Sequence, residues 1–160
     1  MYKRLGEPRS PETLSIRCSI VGPEREPRGH LLAWLLGQPD GSVVQGHTDR
    51  IWSGVTTLQL AQFCRRLVET DLFDSLRARA PVVHFAPNLP LSKYELLEAA
   101  VRVYGRAIEV RPALSAAPII RILQTRSIDL IGAYPPRPLS DALSDLRAAG
   151  PFHNTGKVKS

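Results

Sequence analysis

Polar and apolar residues alternate first at Leu14–Val21, where Leu14, Ile16, Cys18 and Ile20 share one side and Ser15, Arg17 and Ser19 the other. That period of two predicts a strand. Next come two apolar-rich runs, 31–36 and 43–52, flanking Gln38, Pro39, Asp40 and Gly41. Proline presets one turn dihedral and Gly41 can take a positive φ, so the spacing predicts a β-hairpin over 30–52. Leu31 to Leu36 is apolar almost throughout, as in a strand covered on both faces. Three sequential strands, most simply an antiparallel meander, are therefore expected at the front of the chain.

The pattern then changes to helical spacing. Thr56 and Gln59 have capping-box spacing, Val55 and Leu60 that of a hydrophobic staple, and Leu60, Phe63, Cys64, Leu67 and Val68 form a stripe. Leu72, Phe73 and Leu76 extend that helix or begin a second after a bend. Pro81–Pro87 reads as a short buried strand. Ser92 and Glu95 repeat the capping box, with Leu91 and Leu96 as staple and Gly105 as the stop. Residues 107–111 are a strand or an irregular connection. A third helix is expected over 118–126, a strand over 127–132, and a closing helix from Leu139 to Ala149, ended by Gly150 and Pro151. Residues 1–12 are expected to be a flexible arm, 13–150 a single domain and 151–160 a flexible tail.

Composition alters this picture little. At 160 residues one domain is the natural prior. A formal charge of +6 and a pI of about 9.8 make a polyanionic partner worth weighing. Cys18 and Cys64 form no CxxC pair and are expected to be reduced thiols. The N-terminus lacks a signal-peptide core, and no apolar run approaches the roughly 20 residues of a membrane span. The expectation is a cytoplasmic protein with no membrane partner.

The order of elements resembles the ribonuclease H-like fold. Ala33–Leu36 with Pro39–Val44 is similar to that family's second and third strands, and 128–134 with Leu139–Ala149 to its last strand and helix. Ser140, Asp141, Ala142 and Leu143 are similar to its Asp-x-Leu-Ala sequence. The resemblance spans roughly 13–150 and implies an α/β fold: a mixed five-stranded sheet, three antiparallel strands first, with helices on both faces. A strand at 107–111 would instead favour a more Rossmann-like sheet. Catalysis in that family needs several carboxylates converging on divalent metals. Here Arg17 to Ile20 and Gln59 stand at two carboxylate positions, Phe85 to Asn88 hold no acid, and Arg137 stands where the family often has asparagine. Only Asp141 matches as a catalytic candidate, and a first-turn acid beside the Ser140 cap explains it equally simply.

The implied function is a non-catalytic, pseudoenzyme-like domain that binds nucleic acid (DNA, RNA or hybrid) or a nucleic-acid-processing partner. Arg65, Arg66, Lys93, Arg102, Arg106 and Arg111 are the candidate phosphate contacts and Trp52 the candidate stacking aromatic. No metal site and no cofactor are expected. Two alternatives stand beside it. One is a structural or protein-interaction module, including a homo-oligomer. The other is a divergent nuclease using Mg or Mn at Asp141 with Asp49 or Asp129. His47 and Asp49, with His84 across the sheet, could serve as an acid–base or single-metal pair, although a strand histidine with an ordinary polar neighbour is the simpler reading. Walker-type and dinucleotide glycine loops are absent from the sequence.

Overall fold

Parallel pairing between segments distant in the chain dominates the fold. The computed structural model describes residues 7, 10, 12–23 and 30–150. β1 (Ser15–Arg17) pairs in parallel with β6 (Val82–His84), β2 (Ile20–Val21) with β5 (Val55–Thr56), and β3 (Val43–His47) with β8 (Glu109–Ala113). β4 (Arg50–Trp52) lies between β7 (Leu91–Ser92), antiparallel, and β9 (Ile119–Arg121), parallel. Six helices accompany these strands among the described residues: α1 (Leu31–Leu36), α2 (Thr57–Glu69), α3 (Leu72–Arg79), α4 (Lys93–Tyr104), α5 (Ile128–Ala133) and α6 (Leu139–Ala148). The chain is thus α/β. The opening antiparallel meander, and with it the five-stranded ribonuclease H-like sheet, is not observed.

Three short apolar runs adopt the opposite structure from the one their pattern suggests. Leu31–Leu36 is a helix, not a strand. It contains no β-branched residue, and it buries Leu32 and Leu35 on one face while Trp34 turns outward. Ile119–Arg121 is a strand, not a helix, and its β-branched residues suit that state. Ile128–Ala133 is a helix that buries Leu130. The alternation at Leu14–Val21 is also interrupted. Leu14, Ile16 and Cys18 pack against one core, but the break at Cys18–Ser19 leaves Ile20 50 % exposed and turns Val21 inward.

Capping chemistry places the two long helices as expected. The Thr56 hydroxyl accepts the Gln59 N–H at 3.2 Å, and the Thr56 N–H donates to Gln59 Oε1 at 3.0 Å. Ser92 and Glu95 do the same at 3.1 and 2.6 Å. Gly105 ends α4 with φ 64°, a left-handed cap that a side chain would strain. Leu72–Arg79 forms a separate helix after the bend at Asp71, and residues 109–113 are a strand.

Two apolar cores result. One gathers Leu32, Leu35, Val44, Leu97, Ala100, Leu143 and Leu146 between α1, β3, α4 and α6. The other joins Val55, Phe63, Leu76, Val83, Phe85 and Leu130. Phe63 and Phe85 stack at 4.1 Å, and Tyr134 meets their edges at 5.7 and 5.1 Å. Most of residues 1–12, expected to be an arm, and all of the tail 151–160 lie outside the described residues. No helix among those described is long and apolar enough to cross a membrane.

Candidate functional site

The strand pairing that most affects chemistry is β4 on β9. Arg50 aligns with Ile119 and Trp52 with Arg121. Residues two apart on a strand share a face, and so do aligned partners, so these four side chains form one floor of two arginines and two apolar groups. Ile20 to Gly22 at the end of β2, His30 and Leu31 at the start of α1, and Lys93 and Leu96 in the first turn of α4 supply the walls. Together they enclose a cleft of about 310 Å³.

The floor is held in place. Trp52 Nε1 donates to Ser19 Oγ at 2.6 Å, fixing the indole. Gly54 lies against it: a Cβ there would sit 2.1 Å from the Trp52 ring and 2.3 Å from the Ser19 carbonyl oxygen. The Gly54 carbonyl accepts Asn88 Nδ2 at 2.7 Å, and Asn88 and Gln59 exchange amide hydrogen bonds at 2.8 and 3.0 Å in a buried pair. Gln59 and Asn88, at or near two of the expected carboxylate positions, are thus a structural amide clasp behind the floor.

The cleft is electropositive. Arg50, Lys93 and Arg121 line it, and among the described residues no lining residue is acidic and none of the three has a carboxylate partner. Lys93 Nζ lies 5.9 Å from the centroid of the Trp34 ring. Arg50 Nε is buried and has no hydrogen-bond partner. A buried guanidinium donor without an acceptor is costly, by about 1–3 kcal/mol or more, unless something supplies one. The arrangement can receive an oxyanion beside an apolar ring.

Of the residues singled out in the sequence, only Lys93 and Trp52 meet here. Arg65 pairs with Glu69 at 2.8 Å on the outer face of α2, and Arg66 lies over the Tyr134 ring. Arg102 is exposed on α4, and Arg111 is paired with Glu109 at 2.7 Å. Arg106 is spent on structure. Its guanidinium reaches Asp40 Oδ1 at 3.0 Å, the Gln38 carbonyl at 2.7 Å and the Leu36 carbonyl, tying down the turn after α1. Among the described residues these side chains are dispersed over separate elements rather than gathered on one surface. Arg50 and Arg121 are not among those candidates, because an arginine in a short strand carries no mark of which face it occupies.

The nuclease alternative fails on the same ground. Asp141 is exposed in the first turn of α6, where the Ser140 hydroxyl donates to it at 3.2 Å. Asp49 accepts the Ser115 hydroxyl at 2.9 Å and the Ser115 N–H at 3.0 Å, and Asp129 pairs with Arg79. His47 belongs to β3 and His84 to the β1–β6 pair, so the weighed triad is split between sheets. Among the described residues no three His, Cys, Asp or Glu side chains could hold a metal ion.

No protein-family model and no curated protein matches the chain. Solved structures do. The dTDP-4-dehydrorhamnose reductase of Clostridium acetobutylicum superposes with a TM-score of 0.63 at 14 % identity, over 84 % of this chain and 47 % of that one. The Yersinia enterocolitica enzyme gives 0.61 at 16 %, over 84 % and 48 %. The Bacillus anthracis enzyme, solved in complex with NADP, gives 0.54 at 15 %, over 74 % and 40 %. The chain therefore spans less than half the length of the reductases it resembles. This likeness is one of fold, and it overturns the ribonuclease H-like reading together with the nucleic-acid-binding function drawn from it.

Proposed function

We propose that the cleft floored by Arg50, Trp52, Ile119 and Arg121 binds a nucleoside diphosphate carried on a sugar, and that the chain is the ligand-binding portion of a reductase-like fold. The observation that carries this is the buried Arg50 Nε, without a hydrogen-bond partner among the described residues, in a cleft lined by three cations that none of the described carboxylates pairs. A diphosphate presents several oxygens to such donors, and charge-assisted bonds to guanidinium are the strong kind. The indole and the isoleucines offer an apolar surface for a base or a deoxygenated sugar. The reductases of similar fold are named for a dTDP-linked sugar, which is a ligand of this chemistry.

A dinucleotide cofactor fits the described residues poorly, although one neighbour holds NADP. Dinucleotide phosphates usually rest on free N–H groups at a glycine-rich strand-to-helix turn. Among the described residues, the strand-to-helix junctions at Thr56 before α2 and Ser92 before α4 are closed by their own capping boxes, and the connection from β2 to α1 lies largely outside the described residues. At the second, the Glu95 carboxylate already occupies the helix end and would repel a phosphate. The positive-φ glycines, Gly41, Gly105 and Gly150, lie elsewhere. No chemical step is assigned to such a cofactor.

Tryptophan fluorescence titration with dTDP, thymidine and NADP tests the proposal. The expected result is saturable binding of dTDP, none of thymidine at the same concentration, and a roughly tenfold or greater loss in Arg50→Gln, the value of a charge-assisted hydrogen bond. Unchanged dTDP affinity in a folded Arg50→Gln protein, or tighter binding of NADP than of dTDP, overturns it.

A further inference from the structure

We infer that the protein carries a second small-molecule site, for a hydroxylated oxyanion of sugar-phosphate type, between α3, β6 and the segment before α5. This inference rests on residues that share nothing with the Arg50 cleft and does not depend on the reading given to that cleft. Leu76 and Arg79 of α3, Val83 and His84 of β6, and Arg126 and Ser127 enclose a cavity of about 380 Å³. That volume lies within the ~300–1,000 Å³ typical of small-ligand pockets.

The position of its polar wall is set by the chain around it. The Thr125 hydroxyl accepts the Ala86 N–H at 3.1 Å, which holds Arg126 and Ser127 against the end of β6. The floor is apolar, with Leu76 and Val83 both buried. Arg79, Arg126 and His84 supply the charged and polar part of the lining. Arg126 has no carboxylate partner among the described residues, and Arg79 shares Asp129 at 3.2 Å.

One buried oxygen in the lining bears on what the ligand must offer. Ser127 Oγ is buried and makes no hydrogen bond, and although Ser127 precedes a helix its hydroxyl caps nothing. Asp129 is ion-paired with Arg79 and is not part of the lining, so Arg126 is the cation left to the ligand among the described residues. A bare phosphate answers Arg126 but leaves the apolar floor of Leu76 and Val83 uncovered. A neutral sugar covers that floor and answers Ser127 but leaves Arg126 uncompensated. A molecule with one anionic group and several hydroxyls satisfies both halves, with its carbon face on Leu76 and Val83.

The experiment is an amide chemical-shift titration of the whole chain with glucose 6-phosphate, inorganic phosphate and glucose. Glucose 6-phosphate is expected to shift the amides of Val83–Phe85 and Arg126–Ser127 saturably. Inorganic phosphate and glucose should each bind about tenfold more weakly or worse. Arg126→Gln and Ser127→Ala are each expected to weaken glucose 6-phosphate severalfold, whereas Arg50→Gln leaves it unchanged. Both altered side chains lie at the cavity wall rather than in a core, so the fold should persist, and the amide spectrum itself reports whether it does. The inference is overturned by shifts that map to Arg50–Trp52 instead, by no saturable shift, or by inorganic phosphate binding as tightly as the sugar phosphate.

Discussion

Replacing Asn88 by aspartate changes one NH₂ for an oxygen and leaves shape and volume intact, so it isolates the hydrogen bonding behind the cleft floor. Asn88 is 4 % exposed and Gln59 9 %. Asn88 Nδ2 donates to the Gly54 carbonyl at 2.7 Å and to Gln59 Oε1 at 2.8 Å. In Asn88→Asp both acceptors would face a carboxylate oxygen. Gln59 cannot relieve this by turning its amide over, because its Oε1 also accepts the Thr56 N–H that starts α2. Two buried acceptors lose their donor at about 1–3 kcal/mol each, so a destabilisation of about 2–5 kcal/mol is expected at neutral pH. That corresponds to a fall in Tm of roughly 5–15 °C for a chain of this length.

The pH dependence has a definite sign. Burial among acceptors raises the pKa of the new carboxyl in the folded state above its unfolded value of about 3.9. Between those two values the folded state binds more protons than the unfolded, so the variant's deficit narrows as pH falls. A protonated carboxyl also restores one donor. The deficit is therefore full above the raised pKa and smallest near about pH 4. Urea denaturation of both proteins at about pH 7.5 and about pH 5 reads it directly. A deficit below about 0.5 kcal/mol at the higher pH, or one that widens on acidification, refutes the clasp.

Two further substitutions probe the same framework. Gly54→Ala drives a methyl into the Trp52 ring and the Ser19 carbonyl, so it should cost about 1–3 kcal/mol and shift the indole emission in a Trp34→Phe background; unchanged emission and stability would show that the ring is not wedged there. Ser92→Ala removes half of a capping box and should cost about 1 kcal/mol in thermal or urea unfolding. The Ser92 N–H and hydroxyl hold the Glu95 carboxyl below the usual glutamate range, so its contribution is present above about pH 4.3 and lost as pH falls through the lowered value. The alanine variant should accordingly be less sensitive to acid than the parent, and equal acid sensitivity would argue against that contribution.

The parts of the fold legible in the sequence are those decided by local chemistry. Thr56 with Gln59, Ser92 with Glu95 and the left-handed Gly105 mark helix ends through contacts within three or four residues, and all three hold. Short apolar-rich runs carry no such mark, because so few residues do not separate the helical period from the strand period. Leu31–Leu36, Ile119–Arg121 and Ile128–Ala133 take the opposite state from the one their pattern suggests, and the ribonuclease H-like order of elements depends on all of them. Once each takes its observed state, the opening meander and the final strand of that fold disappear together.

The site was less legible than the fold for a related reason. Trp52 and Lys93 could be named because an aromatic at a strand end and a cation at a helix start stand out locally. Arg50 and Arg121 matter only because β9 lies beside β4 in parallel, a register set by chain segments far apart. Ile20 shows how that register reaches the cleft. The alternation from Leu14 placed it with Ile16 and Cys18 in a core, but the break at Cys18–Ser19 turns it out to become a cleft wall. Ser19 at that break accepts the Trp52 indole N–H at its hydroxyl oxygen and the Val55 N–H at its carbonyl. The interruption that spoils the strand pattern thus positions the indole of the floor.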